Sequence, residues 1–305
     1  MINPIIFSFN IGSLTFTLHW YGVILMTAVV FGAWLADKEF RRRGGQEEFV
    51  WNTLVWVLPA GVIGARLWYV VNATLGGSTY FTDNPGKVFA ITEGGLHIFG
   101  AVLFGGAVAY WYGKRNKVDF LLILDAMAPS LLLSQALARP ANFINQELYG
   151  PPTTLPWGIP IAEANRIAPW NDMTAFPDAT RFHPAFAYEM VWNIITGGIL
   201  LWLARKYPER FKPGTMIAAW LVLAGVGRFI VEAFRPDQPR VPGTDLSYSR
   251  LVSGLMAVVG FIWLLVRYEK IHLKFWPAGP EEYRFPTKRK GRIDRSERPK
   301  NKTAR

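Results

Sequence analysis

The stretch ARPANFINQELYG, Ala138 to Gly150, gathers an arginine, two asparagines three residues apart, a glutamate and a glycine directly behind the apolar run LLILDAMAPSLLLSQAL. Arg139 offers a planar, always-charged fork whose N–H geometry matches phosphate or carboxylate oxygens. Asn142 and Asn145 add neutral donors and acceptors, Glu147 orients an arginine, and Gly150 allows a tight backbone turn. More ionisable residues stand inside other apolar runs. Arg66 lies in GVIGARLWYV. Arg228 lies in LAGVGRFIVEAFR, with Glu232 four residues on and Arg235 beyond. The i, i+4 spacing puts Arg228 and Glu232 on one helix face. An ionised group inside a bilayer costs roughly 2.5–3.5 kcal/mol on insertion scales, so each one requires a reason. Two readings meet that requirement: ion pairs that tie helices together, or an anion site whose ligand at head-group depth is a phospholipid phosphate.

The elements that position these residues are membrane spans. The chain has 305 residues, 51% hydrophobic and 15% aromatic, and its apolar residues come in long runs rather than amphipathic stripes. About 18 apolar residues suffice to cross a hydrocarbon core of ~30 Å as a helix. Seven runs qualify: Trp20–Ala36, Phe49–Val71, Leu96–Gly113, Asp119–Leu137, Ala185–Ala204, Thr215–Phe234 and Ser249–Val266. The third is glycine-rich, which close helix packing tolerates. A long polar connection, 139–184, separates the fourth and fifth runs and is itself a candidate functional element. No internal repeat is evident. The expected class is therefore an all-α polytopic membrane protein, with residues 1–275 as the transmembrane domain and 276–305 as a basic, disordered tail.

Orientation follows from lysine and arginine. One set of connections holds Lys38, Arg41–Arg43, Lys114, Arg115, Lys117, Arg205, Lys206, Arg210, Lys212 and the tail. The other set holds seven basic residues, and Arg66 and Arg228 lie within spans. Even without the tail, the bias is eleven to seven. The N-terminus is expected outside and the C-terminus in the cytoplasm, with the interior arginines near the non-cytoplasmic leaflet. MINPIIFSFNIGSLTF lacks the basic region and small-residue cleavage site of a signal peptide, so the N-terminus reads as mature. The tail PTKRKGRIDRSERPKNKTAR suits anionic head groups, and no nucleic-acid partner is expected. Cysteine is absent, which excludes disulfides, thiolate metal sites and a cysteine nucleophile.

Other polar residues fall on the same expected side. His19, Trp20 and Tyr21 open the first span, as an aromatic belt or as part of a site. His183, Tyr188 and Glu189 open the fifth, as packing residues or as part of a site. Asp125 and Pro129 lie in the fourth, where the aspartate is a candidate partner for an arginine. His97, in EGGLHIFG before the third span, is the most readily protonated group nearby.

At these residues the chain resembles the prolipoprotein diacylglyceryl transferase family. Arg139, Asn142, Phe143, Asn145, Glu147 and Gly150 reproduce its R-x-x-N-F-x-N-x-E-x-x-G signature, with Ala138 where a glycine is usual. LHWYG, GARLWYV, the D-x-x-A-P of Asp125–Pro129, the H-P-x-x-x-Y-E of His183–Glu189 and GVGRFIVEAFRPD follow in the family's order, across about residues 10–270. The resemblance implies a seven-span bacterial inner-membrane enzyme with its site toward the outer leaflet. It would move the sn-1,2-diacylglyceryl group of phosphatidylglycerol to the lipobox cysteine thiol of a prolipoprotein, releasing glycerol phosphate, without a metal or organic cofactor. It implies Arg139 and Arg228 as catalytic groups. Tyr21, Asn142, Asn145, Glu147 and Gly150 would complete the lipid site with Arg139, and Glu189, Glu232 and Arg235 would support it. Arg66 and His97 are further candidates.

Two positions depart from the family pattern. Phe99 stands where many members have a histidine, and Ala224 where a tyrosine is frequent. The base is then His97, through a local bend, or no protein histidine at all; Glu147 and a substrate phosphate oxygen are the other candidates. The competing classes are an anion or lipid transporter and a non-catalytic phospholipid-binding scaffold.

Overall fold

The computed structural model describes residues 2–12, 14–91, 94–235 and 238–285. It is mostly helical. The main helices are α1 (Trp20–Arg42), α2 (Phe49–Leu75), α4 (Ile98–Arg115), α5 (Phe120–Asn145), α6 (Ala185–Lys206), α7 (Thr215–Val231) and α8 (Tyr248–Arg267), with a single turn α3 (Tyr80–Asp83) between α2 and α4. Six of these are long and apolar enough to cross a membrane by length and composition: α1, α2, α5, α6, α8, and α7 with the 3-10 turn that extends it to Phe234. The expected third span, α4, is not among them. It has 18 residues, is interrupted by glycines and ends in Tyr-Trp-Tyr-Gly-Lys-Arg, so its apolar stretch is short.

Two features differ from a purely helical expectation. Ahead of α1 stands a hairpin, β1 (Ile5–Ile11) with β2 (Leu14–His19), pairing Phe7 with Leu18 and Phe9 with Phe16. Alternation puts these four apolar residues on one exposed face and Ser8, Asn10, Thr15 and Thr17 on the other. The connection after α5 is also a small folded unit. Tyr149, Ile161, Trp170 and Phe182 form its core, and β3 (Ile159–Pro160) pairs with β4 (Arg181–Phe182). Arg166 is buried there, donates to Ile161 O at 2.9 Å and Phe176 O at 2.6 Å, and lies over the Phe182 ring. It staples the unit.

α5 is the most enclosed helix, packed between α1, α6 and α7. α2 and α4 pair with each other and meet the rest mainly at one end, where Phe40, Phe49, Val118, Leu122 and Ile123 cluster. Their contact is made possible by two glycines. A Cβ on Gly100 would lie 2.1 Å from Gly64 O, and one on Gly64 would lie 2.5 Å from Gly100 O. Backbones that approach so closely gain van der Waals contact that larger residues would prevent.

The same end carries the basic residues of α1 and α6. Glu39 is fully buried and accepts from Arg42 at 2.9 Å, Arg43 at 2.8 Å and Arg205 at 2.8 Å. Among the described residues Asp125 makes no salt bridge to an arginine. It accepts from Gly214 N at 2.5 Å, Ile217 N at 2.9 Å and Tyr283 Oη at 2.8 Å, so it caps the start of α7. Residues 277–285 therefore fold back on the bundle, and Lys212 holds Glu281 at 2.9 Å, keeping that carboxylate below its usual range. The segment 276–305 was expected to be a disordered tail; its start is docked in this way, and the basic run 286–305 lies outside the described residues.

Candidate functional site

The opposite end of the bundle, where α1 and α6 begin and α5 and α7 finish, holds the polar residues singled out in the sequence. α5 does not stop before Pro140. It runs on through Asn145, because a proline's missing N–H and displaced carbonyl are tolerated where neighbouring elements enclose the helix. Arg139 and Asn142 are thus one turn apart on a helix face rather than in a loop, with Asn145 closing the helix. Gln146 and Leu148 then take left-handed conformations, φ 53° and 56°, and turn the chain back. That turn sets Glu147 under the helix, where its Oε1 accepts from Asn142 Nδ2 at 2.8 Å.

Arg139 donates to Asn142 Oδ1 at 3.3 Å and forms a salt bridge with Glu189 Oε1 across to α6. The other oxygen of Glu189 lies 3.2 Å from Arg228 Nη1 on α7. Arg228 Nη2 is 2.9 Å from Glu232 Oε2, and Arg235 Nη1 approaches the same oxygen at 3.9 Å. The result is an alternating ladder, Arg139–Glu189–Arg228–Glu232–Arg235, across three helices. Glu189 and Glu232 are buried, 7% and 2% exposed. Buried charges at this depth persist only when paired, so the tying ion pairs foreseen from the sequence exist. They also bring two arginine forks to one point. Among the described residues, Arg139 Nε is buried without a partner, and Arg228 Nε makes one long contact, to Ser249 Oγ at 3.5 Å. Both arginines keep donor capacity.

Tyr21, in the first turn of α1, is half-exposed and within electrostatic reach of Glu147 and Arg139. Asn145 is half-buried at the helix end. Gly150 serves a purpose other than a turn. Its N–H donates to His183 O at 2.8 Å, and a Cβ there would sit 2.8 Å from Phe234 O and 3.1 Å from His183 Cβ. It lets the chain slide between the start of α6 and the end of α7. His183 Nδ1 and Trp157 Nε1 both contact Tyr188 Oη, at 2.8 and 2.9 Å, so that histidine and tyrosine tie the folded connection to α6.

Arg66 and His97 stand apart from the ladder and from the residues around it. Arg66 donates to Lys87 O, Val88 O, Gly94 O and Gly95 O at 2.5, 2.9, 2.7 and 3.2 Å, and lies beside the Tyr69 and Phe81 rings. Its fork is filled by carbonyls, and it pins the α2–α4 connection. Arg66→Ala is expected to release that segment alone. Four bonds at a net of about 1 kcal/mol each imply at least a hundredfold faster amide exchange across 86–91 and 94–97. Unchanged exchange there would rule out the pin. His97 precedes α4. Its ring stacks on Phe99, and its Nδ1 is buried without a partner among the described residues.

The sequence places the start of α8 within one residue but does not single out Ser247 and Ser249 as neighbours of the ladder. Ser247 caps that helix through Arg250 N at 3.1 Å and lies 3.5 Å from Glu232 Oε1; Ser249 faces Arg228. The serine directly before an apolar run was the available signal.

Fold and site together define a polytopic membrane protein with a charge-balanced cluster of arginines and carboxylates at one end of its bundle. The family model described as prolipoprotein diacylglyceryl transferase matches residues 4–266. The chain is 35% identical over 281 residues to the phosphatidylglycerol–prolipoprotein diacylglyceryl transferase of Chloroflexus aggregans, covering 88% of this chain and 91% of that one. It is 36% identical over 263 residues to the protein of that name from Leifsonia xyli, covering 84% and 77%, and 31% identical over 269 residues to that from Enterococcus faecalis, covering 88% and 93%. The chain belongs to the prolipoprotein diacylglyceryl transferase family.

Proposed function

We propose that this protein moves the diacylglyceryl group of phosphatidylglycerol onto the lipobox cysteine thiol of a prolipoprotein. The thiol sulfur attacks the glycerol carbon, a thioether forms, and glycerol phosphate leaves. The observation that carries this reading is the meeting of Arg139 and Arg228 at Glu189, with an N–H of each not strongly engaged. As the carbon–oxygen bond breaks, negative charge grows on the phosphate oxygen. Two pre-positioned guanidinium groups in a water-poor site stabilise that charge most where it is largest. Arg139, with Asn142, Glu147, Asn145 and Tyr21, binds the head group, and Arg228 supports the leaving phosphate. Gly150 keeps α6 and α7 close enough for the two arginines to converge. Glu232 and Arg235 hold Arg228 in place.

The same reading has α4 complete a seven-helix crossing of the bacterial inner membrane. The N-terminus lies outside, the C-terminus is cytoplasmic, and the site faces the outer leaflet. The lysine and arginine distribution supports this orientation, as does the position of the ladder opposite the Arg42, Arg43 and Arg205 cluster. Residues 1–275 act as the membrane domain, with the start of the 276–305 segment docked on it through Tyr283 and Glu281.

The test is direct. Purified protein is mixed with phosphatidylglycerol vesicles and a lipobox peptide, and the peptide mass is followed. The expected result is a diacylglyceryl gain with the cysteine peptide and none with its serine counterpart. Folded protein that gives no gain with a peptide validated on another family member contradicts the assignment and favours a scaffold or transporter.

A further inference from the structure

The reaction needs an acceptor for the thiol proton, and Phe99, His97, Glu147 and Glu232 are poorly placed for it. Phe99 has no basic atom. His97 makes no hydrogen bond to the ladder and packs against Phe99. Glu147 is engaged with Asn142, and Glu232 is enclosed between Arg228 and Arg235. Glu189 differs from these. Among the described residues it is the carboxylate with one oxygen on each of the two arginines that the phosphate requires.

We propose that Glu189 is the proton acceptor for the substrate thiol, and that the phospholipid itself releases it for this task. The inference rests on the transferase reading given above. Within the site, Arg139, Arg228 and Arg235 balance Glu147, Glu189 and Glu232. Glu189 occupies the place of an anion between two forks. A phosphodiester arriving there brings one further negative charge and competes for the same N–H groups. The donors with capacity to spare, Arg139 Nε and Arg228 Nε, give it a first hold before the carboxylate yields. Phosphate oxygens suit the fork as well as a carboxylate does. A cluster buried in low dielectric does not keep an unbalanced charge cheaply. The surplus is removed by one proton, and the thiol is the group that must lose one.

The step balances. The sulfur–carbon bond forms as the carbon–oxygen bond to phosphate breaks, and the bonding pair leaves on that oxygen. The thiol proton passes to the Glu189 carboxylate. As glycerol phosphate departs, it takes that proton, and Glu189 returns to Arg139 and Arg228. The ladder is then reset for the next lipid.

The experiment compares wild type, Glu189→Gln, Glu189→Asp and His97→Ala on two lipobox peptides, one with cysteine and one with selenocysteine, in phosphatidylglycerol vesicles. A selenol is ionised at neutral pH and needs no base. Glu189→Gln is expected to slow the cysteine peptide at least about a hundredfold, the usual scale for a lost general base. It should leave the selenocysteine peptide within about tenfold of wild type and retain phosphatidylglycerol in native mass spectra. Glu189→Asp, which keeps the charge but draws it back by one methylene, is expected to show the same selectivity to a smaller degree. It carries the test if the glutamine variant does not fold. Equal slowing of both peptides, no slowing, or loss of bound lipid in Glu189→Gln overturns the proposal. So does a cysteine-selective loss in His97→Ala instead. If wild type modifies neither peptide, the transferase reading itself has failed, which is a separate result.

Discussion

Arg139→Ala is expected to abolish transfer from phosphatidylglycerol while the helices stay folded. The residue supplies one of the two forks that meet at Glu189. Removing a single pre-positioned donor to developing negative charge commonly costs about 10²–10³ in rate. Here the same residue also binds the head group in the proposed mechanism, so the loss should reach or exceed that upper value. The fold survives because Glu189 keeps Arg228 at 3.2 Å and is not left as an unpaired buried charge. Arg139→Lys should recover little, since a lysine ammonium cannot serve Asn142, Glu189 and a phosphate from one planar group. The measurement is the rate of peptide mass gain, beside helical circular dichroism and thermal unfolding in detergent. A well-folded Arg139→Ala protein that transfers at the wild-type rate would remove Arg139 from the mechanism.

Asp125→Asn is expected to do the reverse, destabilising the bundle while transfer per folded molecule stays close to wild type. Both carboxylate oxygens of Asp125 accept backbone N–H groups at the start of α7. An amide has one oxygen, so either orientation turns an NH2 group toward Gly214 N–H or Ile217 N–H. Burying an unsatisfied donor costs about 1–3 kcal/mol, and the lost charge at a helix N-terminus adds up to about 2 kcal/mol. Tyr283 contributes a third donor at 2.8 Å. Its burial, followed by the neighbouring carboxylate, pushes its phenol well above the usual tyrosine range. The proton that makes this bond is therefore retained throughout the neutral range. Its contribution is complete below the unfolded tyrosine value of about 10 and is lost only at more alkaline pH. The readout is the denaturation midpoint followed by tryptophan fluorescence. An unshifted midpoint would show that the cap does not hold α7.

Much of this protein is legible along the chain because a bilayer imposes simple demands. Apolar runs long enough to span it stand out, and six of the seven expected spans form helices long and apolar enough to cross. Ionisable residues inside such runs are costly, which marks Arg66, Arg139, Arg228 and Glu232 in the sequence. The spacing of Arg228 and Glu232 was sufficient to pair them, since i, i+4 contact is local. The signature from Arg139 to Gly150 carried the family.

Other features were not local. The sequence could not distinguish Arg66, which spends its fork on the carbonyls of Lys87, Val88, Gly94 and Gly95, from Arg139, which spends part of its own on Glu189. Both are arginines near the end of an apolar run. The difference lies in what a distant segment brings to them. Asp125 was read as a partner for arginine and proved to cap α7, because α5 and α7 meet at a point that no periodicity encodes. Gly150 suggested a turn, yet its lack of a Cβ matters because Phe234 and His183 close on it. The helix was expected to stop before Pro140, and neighbouring elements let it continue to Asn145. By itself, then, the sequence determined the membrane helices, the identity of the charged residues within them and the family. Only the tertiary structure decided which charges meet, because the pairing of buried ions depends on a few ångströms between helices that the chain separates by dozens of residues.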